Sequence, residues 1–360
     1  MATLPRALLL AAAAATLASI TPDPEASLSA ETLARLDPSK QALTLCGGKL
    51  AGASALRSRI LLLASAAAMP AQANAPMPLL NGMGKVHFPI TTASPLAQRY
   101  FNQGLTLAYG FNHAAAIRSF RAAQQADPAC AMCWWGEALA HGPNINAPMD
   151  AGNVDEALAA LSRASALAGN ARPAERALIS ALATRYSADP GTDRAALDML
   201  YANAMLDAAK RFPEDDQVAL LAAEAVMDTR PWDYWEADGT TPKARIGEAI
   251  ALVDGVLARN PDHPQAAHLQ IHLMEASNNP ERAEAAADRL ATPLVPGAGH
   301  LVHMPAHIYY RLGRWQDSMK ANVAAARADE TFFKGAGEPG LYRYGYYPHN
   351  VHFIVTSAQM

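Results

Sequence analysis

The stretch Ala97–Cys130, AQRYFNQGLTLAYGFNHAAAIRSFRAAQQADPAC, decides the fold. Small residues at Gly104, Ala116 and Ala123 let two antiparallel helices touch. Phe120 fills the gap between one hairpin and the next, and Pro128 stops the second helix because it cannot continue the ladder. From about Ser94 the chain therefore reads as an array of helical hairpins.

Outward from this unit the pattern continues. CAMCWWGEALAHG opens the next one, with Trp134 and Ala138 where the large and small residues of a first helix belong. The loop Gly142–Pro148 separates it from a second helix at Val154–Ala168. Two less regular pairs follow, at Pro173–Phe212 and Asp215–Asn260. The latter is split by Arg230-Pro231-Trp232-Asp233-Tyr234-Trp235, a polar-aromatic insertion that reads as a plug for an irregular hairpin. His263–Leu290 and Gly299–Asp329 are two further hairpins. In Gly299–Asp329, Pro305 removes a donor and clashes with the Leu301 carbonyl, so the helix is expected to begin near Met304, with His300 and His303 on a loop. The tyrosine-rich run Leu341–His349 reads as a connector that delivers His349 to a new first helix. That helix presents an uncapped apolar stretch, Val351–Val355, before Met360. A repeat array normally ends in a polar cap, so the expectation is a C-terminal truncation or an end covered by a partner chain.

Composition agrees with an all-α chain. Of the 360 residues 51% are apolar, Ala dominates them, and there are only 8 Phe. Alanine favours helix and lets helices approach closely. The 25 Pro and 22 Gly fall mainly between the periodic blocks, as helix punctuation does. Net charge is −4 with no run of Lys or Arg, which argues against a nucleic-acid partner.

The N-terminus bears on compartment. Residues 1–20 carry one basic residue, Arg6, and an unbroken apolar run Ala7–Leu17, the form of a secretory signal and too short for a membrane span. A second block, Arg57-Ser58-Arg59 followed by Ile60–Met69 and a small-residue run, has the same form. Either the first is the export signal and the second an amphipathic helix, or the true start lies further on. The resulting division is 1–20 signal peptide, 21–93 a separate N-terminal helical segment outside the repeats, and 94–360 the repeat domain, incomplete at its C-terminus. The protein is expected to be exported, to the periplasm, and to touch a membrane only through its export signal.

From Ser94 on, the residues quoted above resemble the tetratricopeptide repeat (TPR) superfamily. More narrowly the chain is similar to a group of bacterial repeat proteins with blocks such as Cys130–Gly136, Gly142–Asn146, Arg230–Trp235 and His303–His307. The resemblance implies a right-handed α-solenoid of helical hairpins whose first helices line a concave groove, and a general role in binding a protein or peptide there. It implies no catalytic residues.

Chemistry is concentrated in three consecutive first helices, which carry His268 and His272, then His300, His303 and His307, then His349 and His352. Seven of the 11 histidines thus fall in less than a quarter of the chain. Spacings of i+3, i+4 and i+7 keep each set on one face. Packed helices lie ~8–10 Å apart, so imidazoles of neighbours can reach one ion at ~2.0–2.1 Å. Such ligation suits Zn, Cu, Fe or Ni. Glu275, beyond His272, is a candidate ligand or the acceptor that orients one. Read singly, each histidine is as well explained by a bound peptide or a local carbonyl, and His87, His113 and His263 are read that way. Cys130 and Cys133 form a Cys-x-x-Cys at a helix start. Trp134 stands where covalent haem needs His. The pair reads as a local disulfide or a thiol pair of lowered pKa, with a soft metal site of Cys130, Cys133, His141 and Glu137 as the alternative, and Cys46 is left odd.

Two functions follow: a scaffold that binds a protein or peptide in its groove, without enzymatic activity, or a metal-binding protein or metalloenzyme built on the His268–His352 cluster.

Overall fold

The computed structural model describes residues 77–360 except Pro293 and 338–340. The two N-terminal apolar blocks and Cys46 lie outside the described residues. All regular structure among the described residues is helical, apart from two isolated bridges, Asn144–Ala147 and Trp235–Pro242.

The helices start where the sequence supplies caps. Helix α1 (Pro95–Tyr109) opens with Ser94 accepting from Ala97 N and with Pro95 at its first position, where the missing N–H costs nothing. Asn112 caps α2 (His113–Ala126). After α3 (Ala131–Ala140) and α4 (Val154–Leu167) come α5 (Pro173–Leu182) and α6 (Arg194–Arg211), the latter capped by Asp193. Asp215 caps α7 (Asp216–Asp228), which is followed by α8 (Ile246–Arg259). His263 caps α9 (Pro264–Met274), so this histidine has a local structural task. Helix α10 (Glu284–Ala291) closes that pair. The last elements are α11 (Gly299–His303), α12 (Pro305–Arg311), α13 (Trp315–Ala336) and α14 (Tyr347–Gln359).

Two expectations change here. Pro305 does break the ladder, but Met304 keeps right-handed helical angles (φ −52, ψ −37) and its N–H reaches the His300 carbonyl at 3.1 Å. His300 and His303 are therefore helical rather than on a loop, because a proline at the first position of α12 needs no donor. The tyrosine run connects to α14 through a π-helical turn, Tyr342–Tyr346, and delivers His349 there. The N-terminal segment, expected to be helical, carries no helix in its described part, 77–94. Pro78, Pro89 and the left-handed Gly82 (φ 78) and Gly84 (φ 73) interrupt it. It lies as a strap on α1: Gln103 Oε1 accepts from Leu80 N at 2.7 Å, and Gln98 Oε1 accepts from Ile90 N at 2.9 Å.

Consecutive helices pack on one another, and Phe120 is the wedge between the first two hairpins. A Cβ built on Gly104 would sit 2.8 Å from its ring, and one on Gly136 in α3 2.4 Å. The first hairpin also reaches the last elements. The Arg118 guanidinium in α2 donates to the carbonyls of Ala336 (2.9 Å) and Gly337 (3.0 Å). Phe111, between α1 and α2, lies against His268 and His300. The aromatic insertion plugs its hairpin: Tyr234 is fully buried, and Trp235 Nε1 donates to the Leu273 carbonyl at 2.7 Å. On α14 the residues His349, Asn350 and Phe353 are buried, while Val351 and Val355 face outward.

Because Phe120 is hemmed in by glycines on both sides, its ring has no room to yield. Gly136→Ala is expected to destabilise the protein by ~1–3 kcal/mol through overpacking, measured by urea unfolding. Gly335→Ala, at a helical site with nothing within 4 Å, serves as the control and is expected to be neutral or slightly stabilising.

Candidate metal centre

Six of the seven clustered histidines meet in the interior, at most 5% exposed. They form two adjoining groups. His268 and His272 of α9 join His300 of α11, and in this group one ligand atom from each ring lies within 4.8 Å of the others. His303 of α11, His307 of α12 and His349 of α14 form the second group by the same measure. The groups touch through ring pairs at 5.9 Å (His300–His303) and 6.0 Å (His272–His307). His352 belongs to neither and is partly exposed.

The outer hydrogen bonds set the tautomers. Glu275, just past the end of α9, takes His272 Nδ1 on Oε1 at 2.7 Å and His307 Nδ1 on Oε2 at 2.6 Å. Gln265 Oε1 meets His268 Nδ1 at 3.0 Å, its amide nitrogen being turned to Glu224. Asn322 Oδ1 meets His303 Nδ1 at 2.6 Å, and its own amide donates to the Ser318 carbonyl, which fixes its orientation. Each acceptor is an oxygen, so each Nδ1 carries the proton, and the neutral rings of His268, His272 and His303 point an Nε2 lone pair inward. Metal-ligating histidines are held in this way, by a second partner on the far nitrogen.

Inside the shell the lone pairs have nothing neutral to meet. His268 Nε2, His272 Nε2 and both ring nitrogens of His300 are buried without a hydrogen-bond partner among the described residues. Each such orphan costs ~1–3 kcal/mol. His303 Nε2 and His307 Nε2 face each other at 2.8 Å. That is hydrogen-bonding distance, with one of the two rings supplying the proton.

Burial lowers the pKa of His268, His300, His303 and His349 well below the usual 6.5, and mutual repulsion of like charges adds to it. Burial also lowers His272, against the pull of Glu275. These rings are thus neutral, the form that binds metal. Burial alone would raise the Glu275 carboxyl. A positive charge at His307 and the hydrogen bonds from His272 and His307 outweigh it and hold the carboxyl at about 2. The remaining wall is aromatic: Phe111 is 4.8 Å from His268, Trp232 4.9 Å from His272, Tyr346 5.0 Å from His300 and Phe353 4.9 Å from His349, between ring centres.

The soft-site alternative at Cys130 is corrected. Cys130 and Cys133 are joined as a disulfide, so neither sulfur is a thiolate ligand. His141 lies 3.4 Å from Glu156 and 3.8 Å from Glu137, whose carboxylate instead takes Arg121 and Gln124. Phe111, Gln265 and Asn322 escaped the sequence reading, and Trp232 was read there only as part of the hairpin plug. Of the first three, only Asn322 left a trace, as a lone amide in the Ala-rich face of α13. No protein-family model matches the chain, and a comparison with curated proteins finds no match.

The buried neutral imidazoles carry a pH signature. The unfolded chain takes up protons on histidine as pH falls through about 6.5, whereas the native rings titrate lower, so the native state binds fewer protons and loses stability. His113 and His263, both lowered by burial to about 4, act in the same direction. Asp329 and Glu224, each raised by burial to about 7, act in the opposite sense, gaining stability as pH falls from 7 towards 4. They are outnumbered. The melting temperature of chelator-treated protein is expected to drop steeply between pH 7 and pH 5 in thermal melts. A flat profile would mean that the imidazoles are not held neutral.

Proposed function

We propose that residues 94–360 form a TPR-type α-solenoid whose inner helices enclose a metal ion centre, and that the chain is an exported metalloprotein. The observation that carries this reading is the convergence of six buried imidazoles in two groups, four of them oriented by an outer oxygen acceptor on Nδ1. A peptide-binding scaffold has no use for that arrangement. Its wall histidines would have to be reachable from a groove, and six of the seven are buried. Imidazole ligation suits Cu, Zn, Fe or Ni. Three protein ligands leave a coordination position open, which is the pattern of reactive rather than purely structural sites.

The test is metal analysis of protein purified without a histidine tag, paired with thermal melts in added Zn²⁺, Cu²⁺, Cu⁺ and Fe²⁺. At least one equivalent of one of these metals is expected to bind and to raise the melting temperature, by ~2.7 kcal/mol of stabilisation at a hundredfold excess over Kd. His268→Gln combined with His303→Gln is expected to abolish the shift. Substoichiometric metal together with unchanged melting would overturn the reading.

A further inference from the structure

We propose that the centre is dinuclear: two copper ions bound as Cu(I), one on His268, His272 and His300 and one on His303, His307 and His349, coupled through the carboxylate of Glu275. This rests on the metal reading above and adds the number, charge and coupling of the ions.

The number follows from the geometry. Donors around one tetrahedral ion at ~2.0–2.1 Å are about 3.4 Å apart. Each histidine group, with its ligand atoms within 4.8 Å, is a short contraction away from that arrangement. The six residues form two such groups and not one. Each group is complete in itself, with three imidazoles drawn from two neighbouring layers. A single ion in the second group would leave the orphaned nitrogens of His268, His272 and His300 unmet.

Charge selects the ion. Six imidazoles, neutral once they are ligands, contribute none, and the carboxylate that touches them among the described residues is Glu275, divided between the groups by its two oxygens. Two dications would leave a net charge of about +3 beside Phe111, Trp232, Tyr346 and Phe353, where there is little to solvate it. Two monocations leave about +1. Copper is the imidazole-binding metal with an accessible monovalent state.

Coupling follows from the same carboxylate. Each Glu275 oxygen raises the basicity of a ligand in a different group. Occupation of one group draws on the negative charge that the other also needs, so the ions are linked without sharing a ligand. Replacing Glu275 by Gln removes the charge from both groups and turns an amide N–H₂ towards one imidazole that must itself donate.

The experiment is anaerobic titration of the full chain with Cu(I) against a chromophoric Cu(I) chelator, with a parallel Zn²⁺ titration. Two Cu(I) per chain are expected, and His268→Gln and His349→Gln should each reduce this to one. Circular dichroism confirms that the variants are folded, and Val355→Ala, on the outward face of α14, should keep both ions. Glu275→Gln should weaken both affinities by roughly tenfold to a hundredfold. One Cu(I) in the parent protein would overturn the dinuclear assignment while leaving the metal reading intact, and no metal of any kind would remove both. Zn²⁺ outcompeting Cu(I) would overturn the choice of ion. A Glu275→Gln effect confined to one group, or absent, would overturn the coupling.

Discussion

The site depends on one carboxylate. Glu275 lies one residue past the end of α9, where the chain has left the helix but its side chain still faces the layer formed by α11 and α12. From there it spans two layers, holding His272 of its own helix and His307 of the next. A lone buried carboxylate would be expensive. Here two ring N–H donors and the positive charge on one of them, His307, keep it ionised. In return it orients two imidazoles that have no other reason to turn their Nδ1 atoms the same way. Removing either side leaves the other as an uncompensated buried polar group.

Closure of the inner surface depends on Phe111. Its backbone is left-handed (φ 56), a conformation that disfavours a large side chain by roughly 1–2 kcal/mol. The turn between α1 and α2 holds it there, and its ring is thereby placed against His268, His272 and His300. Arg118 on the following helix ties the same hairpin to the carbonyls at the end of α13. These contacts cross more than a hundred residues of chain and remove water from the histidine wall. A polar surface groove becomes a dry interior, where the tautomers are fixed and the rings stay neutral.

What was legible in the sequence was local. The hairpins follow from small residues, caps and prolines, and Gly104, Phe120 and Pro128 take the positions their sizes require. The histidine density pointed to the elements whose imidazoles come together, α9, α11, α12 and α14, although His303 and His307 fall on two helices where the spacing suggested one. The division into two groups was not legible. It depends on how α11 sits between α9 and α14, which places His300 with one neighbour and His303 with the other. Pro305 misled for a physical reason: its missing donor matters in a helix interior, and it stands instead at the first position of a new helix. The thiols could be read as ligands or as a bridge, and only their joined sulfurs decide it. Phe111 and Trp232 reach the site from turns, with no periodicity to announce them.

The middle layer has a further significance. The segment α11–α12 supplies His300 to one group and His303 and His307 to the other, while α9 and α14 each serve one. In a linear array each hairpin is stabilised only by its neighbours. An ion in the first group would join α9 to α11, and an ion in the second would join α11 and α12 to α14. Binding free energy at such sites is folding free energy for the elements they connect. The same hairpin is anchored from outside: Asp329 of α13 accepts from Tyr342 and Asn350, and Tyr342 accepts from the His300 amide. Asp329 also sits so close to Gly299 that a Cβ there would meet its carboxylate at 1.9 Å. The backbone of α11 is thereby positioned independently of any ion. Such a scaffold would hold the ligands of an ion in place before it bound, so that the ordering cost would fall on folding and not on binding.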